Sequence, residues 1–125
     1  MKLSIPPDCG NSTKKKHLAD LTAFFASYAI PEAMEFLTED VIWTLVGDKP
    51  IQGKENFAAA LREMSDIKAT ELTIHQLITH GKEAAVSGEM VMEDGKIYGF
   101  SDFYSFTSPG AKKVKSIRSY VIQLK

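Results

Sequence analysis

The amino-acid sequence predicts an α+β domain in which helices pack on one face of a curved antiparallel sheet. Apolar residues at helical spacing are confined to the first half of the chain, and the last such segment ends at Met64. The second half contains strand-like segments, separated by turn residues that are typical of antiparallel hairpins. Helices followed by a meander of strands are the order of elements expected of this fold class.

Length and charge favour one domain that binds neither nucleic acid nor a membrane. The chain has 125 residues, which is enough for one domain with a real core and too few for two of ordinary size. Its 15 Lys and Arg residues nearly balance 16 Asp and Glu residues, so there is no electrostatic reason to expect either partner. No segment approaches the roughly 20 apolar residues that cross a bilayer.

The N-terminal segment is predicted to be a flexible lead-in over residues 1–12, followed by a single domain over residues 13–125. Pro6, Pro7 and Gly10 disfavour regular structure in the lead-in. Cys9 is the only cysteine, so an internal disulfide is excluded and a reducing cytoplasmic location is expected. We expect no cofactor and no metal, because the sequence has no Cys/His cluster and no glycine-rich phosphate loop.

Three helices are predicted in the first half. The first covers residues 13–27, where apolar residues recur at helical spacing behind a serine or threonine N-cap. Pro31 suits the first turn of a second, shorter helix with apolar contacts up to Leu37, and Thr38-Glu39-Asp40 is predicted to turn the chain. The third helix covers residues 55–64.

Five strands are predicted around and after the third helix. Residues 41–46 are rich in β-branched and aromatic side chains and end at Gly47, so they are interpreted as the first strand. Four more strands are expected at residues 72–79, 84–93, 96–107 and 114–124. Asp94-Gly95 gives the strongest hairpin signal in the chain.

Both faces of the last predicted strand are partly apolar. Ile117 and Val121 point to one side, and Tyr120, Ile122 and Leu124 point to the other. The helices of one domain cover only one face of its sheet. We therefore predict a homodimer in which a second copy of the chain covers the outer sheet face.

Four segments of the sequence resemble the SnoaL-like branch of the nuclear transport factor 2 superfamily. They are TEDVIW, GDKPIQGKENF, SDFYSF and KVKSIRSYVIQL, and the resemblance extends from about residue 15 to the end of the chain. The superfamily includes ketosteroid isomerases, polyketide cyclases and limonene epoxide hydrolase. The resemblance implies a cone-shaped half-barrel, in which three helices and a strongly bent antiparallel sheet enclose an apolar cavity, with dimerisation through the outer sheet face.

The resemblance also carries over one residue of the ketosteroid isomerase site. Asp102, in SDFYSF, matches the aspartic acid that those enzymes keep protonated beside the developing oxyanion. Their catalytic base corresponds to Thr44 or Leu45, neither of which takes a proton from carbon, and Tyr28 is two turns too late to replace their tyrosine. A steroid isomerase mechanism is therefore disfavoured, and no Asp-Arg-Asp set like that of limonene epoxide hydrolase is found.

Asp102 and Tyr104 are the strongest candidates for chemistry. Strand alternation places Phe100, Asp102, Tyr104 and Phe106 on one side, and Phe103 on the other. Desolvation among these rings would raise the pKa of Asp102 and make it a hydrogen-bond donor or general acid. Asp102 and Tyr104 could share a ligand oxygen, but they could equally satisfy each other in an empty pocket.

His75 is the candidate base in place of the missing carboxylate. Alternation groups it with Thr73 and Leu77 on its strand, and a histidine titrates close to physiological pH. The alternative is a hydrogen-bonded histidine on the sheet or dimer face.

Trp43 and several other large side chains are the predicted ligand pocket. Trp43 would provide a flat wall for a cyclic ligand, and methionines adapt to irregular shapes. The alternative is that these residues are ordinary core. The predicted pocket residues are Phe25, Tyr28, Trp43, Met90, Met92 and Phe100.

Two hypotheses for the function remain open. In the first, the protein is an enzyme or enzyme-like binder of a small apolar, carbonyl-bearing or cyclic molecule, with Asp102 and Tyr104 directed at oxygen and His75 as a possible base. In the second, it is a non-catalytic ligand-binding or dimerisation module. A narrow cavity filled by its own side chains would favour the second hypothesis.

Overall fold

The computed structural model describes residues 1–7 and 12–124 of the chain. These residues form one seven-stranded sheet and three helices, which confirms the predicted α+β class. The helices are α1 (Thr13–Ala26), α2 (Ile30–Met34) and α3 (Lys54–Met64). The strands are β1 (Lys2–Ser4), β2 (Leu37–Leu45), β3 (Ile51–Gln52), β4 (Ala69–His80), β5 (Glu83–Met92), β6 (Ile97–Phe106) and β7 (Val114–Leu124).

The strand order is β1-β4-β5-β6-β7-β2-β3, and the sheet does not close on itself. The long strands β4 to β7 form the predicted antiparallel meander, while β2 pairs in parallel with β7. The predicted Asp94-Gly95 hairpin is confirmed, because Gly95 adopts a φ of 86° and donates its N–H to the Met92 carbonyl oxygen at 2.9 Å.

Irregularities in strand pairing bend this sheet. Register shifts occur within the β2–β7, β4–β5 and β6–β7 pairs, and such β-bulges increase local twist and bending. At Gly88 of β5 a Cβ atom would collide with the Thr73 carbonyl oxygen, so only glycine lets the two strands approach so closely. The bent sheet leaves a concave face toward α1 and α3 and a convex outer face.

Lys14 connects the start of α1 to two loops of the sheet. Its ammonium group donates to the carbonyl oxygens of Gly81 at 2.9 Å and Pro109 at 2.7 Å, and it lies 4.4 Å from the centre of the Phe106 ring. The start of α1 is thereby joined to the β4–β5 turn and the β6–β7 loop. Phe106 is fully buried.

The turn predicted at Thr38-Glu39-Asp40 is wrong, because these residues lie inside β2. The helix α2 ends at Met34, and Leu37 already pairs with Val114 of β7. A register shift follows before Ile42 pairs with Ser116, so the acidic pair faces solvent on an irregular part of the strand. The sequence pattern suggested a turn because a bulge and a turn favour similar polar residues.

The N-terminal segment contains structure that the sequence did not predict. Lys2–Ser4 form β1, which pairs in parallel with β4 through Leu3 and Leu72. Part of the predicted lead-in thus extends the edge of the sheet. Cys9 lies outside the described residues, as do positions 8, 10, 11 and 125.

None of the helices in the described part of the chain is long and apolar enough to cross a membrane. The cytoplasmic location expected from the sequence stays a prediction.

Candidate functional site

A cavity of about 460 Å³ lies between the concave face of the sheet and the helices α1 and α3. All six residues predicted for the ligand pocket line it: Phe25, Tyr28, Trp43, Met90, Met92 and Phe100. Asp102 lines it as well. Their role in binding a ligand stays a prediction, but the side chains do not fill the space they surround.

The cavity runs along β6 from a partly exposed mouth to a closed end. Tyr98, Phe100 and Asp102 line it in turn, and the next residue on that side, Tyr104, is only 1% exposed and lies beyond the lining. The strand rises about 3.3 Å per residue, so Tyr98 and Asp102 are roughly 13 Å apart along the cavity. Asp102 is therefore the ionisable group at the deep end of the described lining.

The mouth is formed where the β5–β6 turn meets the loop after α3. Lys68 N–H donates to the Glu93 carboxylate at 2.6 Å, and Glu93 N–H donates to the Lys68 carbonyl oxygen at 2.9 Å. This paired contact fixes Ile67 and Asp94, which line the cavity on either side of it. Ile67 is 42% exposed, as expected at an opening.

The apolar surroundings of Asp102 disfavour the ionised form of its carboxyl group. Burial raises the pKa of Asp102 to about 6, although the neighbouring hydroxyl groups of Ser119 and Tyr104 act in the opposite direction. The carboxyl group is surrounded by protein and keeps partial solvent access where it faces the cavity. A carboxyl group with this pKa exchanges protons readily near neutral pH.

Ser119 positions Asp102 and was missed by sequence analysis. It is directly opposite Asp102 in the β6–β7 register and is 6% exposed. The Trp43 indole N–H donates to the Ser119 hydroxyl oxygen at 3.1 Å, which leaves the hydroxyl proton available for Asp102. A chain of polar contacts thus runs from Trp43 to the carboxyl group. The cross-strand pairing of β6 with β7 was the signal that could have identified Ser119.

Tyr104 lies next to Asp102 on the inner side of β6, as alternation predicts, but behind the cavity wall. Burial and the neighbouring Asp102 charge raise the pKa of Tyr104, so the phenol stays neutral. Its hydroxyl group is near Asp102 and Thr22, yet it makes no hydrogen bond of ordinary geometry with any described residue. Tyr104 therefore acts on the environment of Asp102 and does not face the cavity itself.

Tyr28 reaches the cavity from a strained backbone conformation. Its φ of 55° is in the left-handed region, where α1 ends in a Schellman motif with Ala29 N–H donating to the Phe24 carbonyl oxygen at 2.9 Å. Glycine usually occupies this position, and a tyrosine there costs about 1–2 kcal/mol. Burial raises the pKa of Tyr28. The strain places an aromatic ring on the cavity wall, where glycine would leave none.

One wall of the cavity is a stack of three aromatic rings. The Phe57 ring lies 4.5 Å from Trp43 and 5.6 Å from Phe25, with interplanar angles of 12° and 14°. Phe57 is a buried residue of α3 that the sequence analysis did not assign to the pocket. Offset stacking of this kind stabilises a rigid, flat surface.

His75 does not join Asp102, so the prediction that it supplies a base at the same site is corrected. A bulge between Ile74 and Gln76 adds one residue to β4 and turns both His75 and Gln76 outward. The His75 imidazole donates to the Glu89 carboxylate at 2.8 Å on the exposed outer face. Simple alternation failed at this position because a bulge reverses the facing of the strand.

The charged side chains in the described lining of the cavity are all acidic. Among the described residues, the charged side chains that line it are Asp94 at the mouth and Asp102 at the deep end. Arg62 and Arg118 are exposed and lie outside the lining. No described group of His, Cys, Asp and Glu side chains could hold a metal ion.

Solved structures share this architecture at low sequence identity. An NTF2-like protein of unknown function from Cytophaga hutchinsonii is 19% identical, with a TM-score of 0.67 over 87% of this chain and 99% of that chain. An LEH-like epoxide hydrolase of M. tuberculosis is 15% identical, with a TM-score of 0.71 over 86% of this chain and 80% of that chain. These likenesses show the fold alone.

A third similar structure is that of a candidate ketosteroid isomerase from Kribbella flavida. It is 20% identical, with a TM-score of 0.69 over 88% of this chain and 81% of that chain. No curated protein matches the sequence. The profile of the SnoaL-like domain matches residues 18–115, which is most of the chain. The protein therefore belongs to the SnoaL-like domain family of the NTF2-like fold.

Proposed function

We propose that the cavity binds a small, largely apolar molecule through one polar group that contacts Asp102, and that Asp102 moves a proton on that molecule. The observation that carries this proposal is a single desolvated carboxyl group at the deep end of a largely apolar cavity. Such a group is costly to bury, and perturbed pKa values of this kind concentrate at functional sites.

The size and lining of the cavity support binding. A volume of about 460 Å³ is within the range of roughly 300–1,000 Å³ found for small-molecule sites. Aromatic and methionine side chains dominate the lining, and a few polar groups converge at one end. The free space also argues against a module whose interior is filled by Trp43, Phe100 and the methionines.

The pKa of Asp102 supports a proton-transfer role. With a pKa of about 6, the ionised form predominates at pH 7 and roughly one molecule in ten is protonated. The carboxylate can take a proton from a bound molecule and return it, because the two forms differ little in free energy. Ser119 stabilises the ionised form, so removing its hydroxyl group would favour the acid.

A steroid isomerase mechanism is not proposed. The two positions that correspond to the isomerase base are Thr44 and Leu45, and Leu45 lines the cavity as an apolar side chain. The similar structures named as an epoxide hydrolase and a candidate isomerase support only the broader class of small-molecule chemistry.

A second candidate function is ligand binding without turnover. It is favoured by the lack of a second acid–base group beside Asp102, since the other titratable residues in the described lining are Tyr28, Asp94 and Tyr98. Tyr28 is held neutral by its raised pKa. Substrate turnover that depends on Asp102 would remove this candidate.

A thermal-shift screen tests the binding proposal. Purified protein would be screened against cyclic ketones, lactones, terpenoids, steroids, amines and aromatic acids, because a ligand at about 100 times its dissociation constant adds about 2.7 kcal/mol of stability. We expect a hit that is lost or much weakened in Asp102→Asn and retained in Asp66→Asn, which makes the same change on the exposed surface. No hit in any class, or hits indifferent to Asp102, would contradict the proposal.

We also propose that the outer sheet face forms a homodimer. Ile78, Phe103, Tyr120 and Ile122 are 44–68% exposed on this face. Large exposed apolar side chains on a sheet with no covering helices favour a partner surface. A second copy of the chain is the proposed partner.

A further inference from the structure

The Asp102 carboxylate has no positively charged partner among the residues that the structure describes. Burial and the neighbouring hydroxyl groups of Ser119 and Tyr104 set its pKa, with no contribution from a cation of the described residues. No Lys, Arg or His side chain is among the described residues that line the cavity. A desolvated carboxylate without a counter-ion gains free energy from any cation that can reach it.

The remaining lining is suited to a positive charge. Six aromatic side chains surround the space: Phe25, Tyr28, Trp43, Phe57, Tyr98 and Phe100. Aromatic faces attract ammonium groups through the ring quadrupole, most strongly where water is excluded. The same rings and methionines provide the apolar surface that a hydrocarbon skeleton needs.

The arrangement disfavours anions. A carboxylate ligand would bring a second negative charge next to Asp102, and the described lining contains no guanidinium or ammonium group to offset the repulsion. Asp94 adds a further negative charge at the mouth, although it is exposed and therefore screened by solvent.

We propose that the cavity selects small hydrophobic amines, with the ammonium group on the Asp102 carboxylate and the hydrocarbon portion against the aromatic wall, and that it rejects carboxylates. This inference rests on the binding role proposed above and adds the charge of the ligand. The roughly 13 Å between Tyr98 and Asp102 along β6 accommodates an amine with a single ring and a short alkyl chain.

Three probes of matched shape and different charge test this inference. They are 3-phenylpropylamine, 3-phenylpropan-1-ol and 3-phenylpropanoate, each titrated into the intact protein by calorimetry at pH 7.5. We expect the amine to bind at least about tenfold more tightly than the alcohol, since a charge-assisted hydrogen bond exceeds a neutral one by about that factor. The carboxylate should bind more weakly than the alcohol.

Two variants identify the group responsible. Asp102→Asn keeps the shape of the side chain and should reduce the affinity of the amine to that of the alcohol. Asp66→Asn removes a carboxylate that is exposed and outside the cavity, so it should leave all three affinities within about twofold of the parent protein.

The outcomes separate this inference from the function on which it rests. An amine preference that persists in Asp102→Asn, or no amine preference at all, would overturn the inference. If the alcohol or ketones bind through Asp102 without any preference for the amine, the proposed function stands and the inference fails. If no probe binds and the thermal-shift screen is also empty, both fail.

Discussion

The concave and convex faces of β6 and β7 carry similar apolar side chains but differ in how far these side chains are exposed to water. On the concave face, Phe100 and Asp102 lie under the helices beside a cavity. On the convex face, Phe103 and Tyr120 contact each other edge-on and are 51% and 44% exposed. Neighbouring residues of one strand thus enter two environments with opposite access to water.

The difference shows that burial, and not residue type, creates the unusual acid. Glu89 on the convex face has a histidine partner and solvent around it. Asp102 on the concave face has no such partner and is largely enclosed by protein, so its pKa is raised because its charge is desolvated.

The largest expected effect on stability comes from a substitution in the wall of the cavity on the concave face. Trp43→Ala should lower the free energy of unfolding by about 3–5 kcal/mol, since it removes a buried indole that stacks on Phe57 and donates to Ser119. Urea unfolding would measure the change. Ile78→Ala, on the convex face and 64% exposed, should change stability by less than about 1 kcal/mol. Equal effects would contradict the distinction between the faces.

The next effect is the pH dependence of stability caused by Asp102. The folded protein holds the Asp102 proton more tightly than the unfolded chain, with a pKa of about 6 against an ordinary 3.8. The resulting stability is therefore fully present below about pH 4 and lost as pH rises through 6, a change of about 3 kcal/mol. Relative to the parent protein, Asp102→Asn should gain that amount between pH 4 and 7.5.

Urea unfolding across this pH range measures the difference between the two proteins. Asp66→Asn is the matched control, because its carboxyl group is exposed and should leave the pH dependence of the parent protein unchanged. Parallel stability curves for the parent protein and Asp102→Asn would show that Asp102 is not desolvated.

A smaller effect is expected from Ser119, which lies opposite Asp102 in the β6–β7 pair and whose hydroxyl group lowers the pKa of Asp102. Ser119→Ala should raise the pKa of Asp102 further and cost about 1–2 kcal/mol of stability. A carboxyl-detected NMR titration measures the pKa. Ser105→Ala is the control, because it removes a serine-to-carboxylate hydrogen bond to Glu83 on the exposed side. An unchanged Asp102 pKa in Ser119→Ala would remove Ser119 from the site.

The smallest effect on folding is expected on the convex face, where association is the sensitive quantity. Ile122→Lys places a charge at a position that is 68% exposed, so it should change the stability of the folded monomer by less than about 0.5 kcal/mol. It should convert the proposed dimer to a monomer in ultracentrifugation at micromolar concentration, because an interface charge without a partner is desolvated. A parent protein that is already monomeric would contradict the proposed dimer.

Local sequence patterns predicted the features of the fold that depend on neighbouring residues in the chain. The Asp94-Gly95 turn and the inward facing of Phe100, Asp102 and Tyr104 follow from neighbouring residues alone. The resemblance of short motifs to the SnoaL-like branch indicated the cavity, since these motifs are specific for fold.

Features that depend on strand register could not be predicted in the same way. His75 faces outward because of a bulge that is defined only by the pairing of β4 with β5. Ser119 looks unremarkable within β7 and becomes important through its pairing with Asp102. The parallel addition of β1 to β4 likewise depends on contacts far apart in the chain.

The most direct test of a desolvated acid in the cavity is a titration of the Asp102 carboxyl carbon by NMR, assigned with Asp102→Asn. We predict a midpoint near pH 6, because burial outweighs the opposite effect of the neighbouring Ser119 and Tyr104 hydroxyl groups. A midpoint near 4, the ordinary value for an aspartic acid, would mean that water reaches Asp102 freely, and it would contradict the account of the concave face.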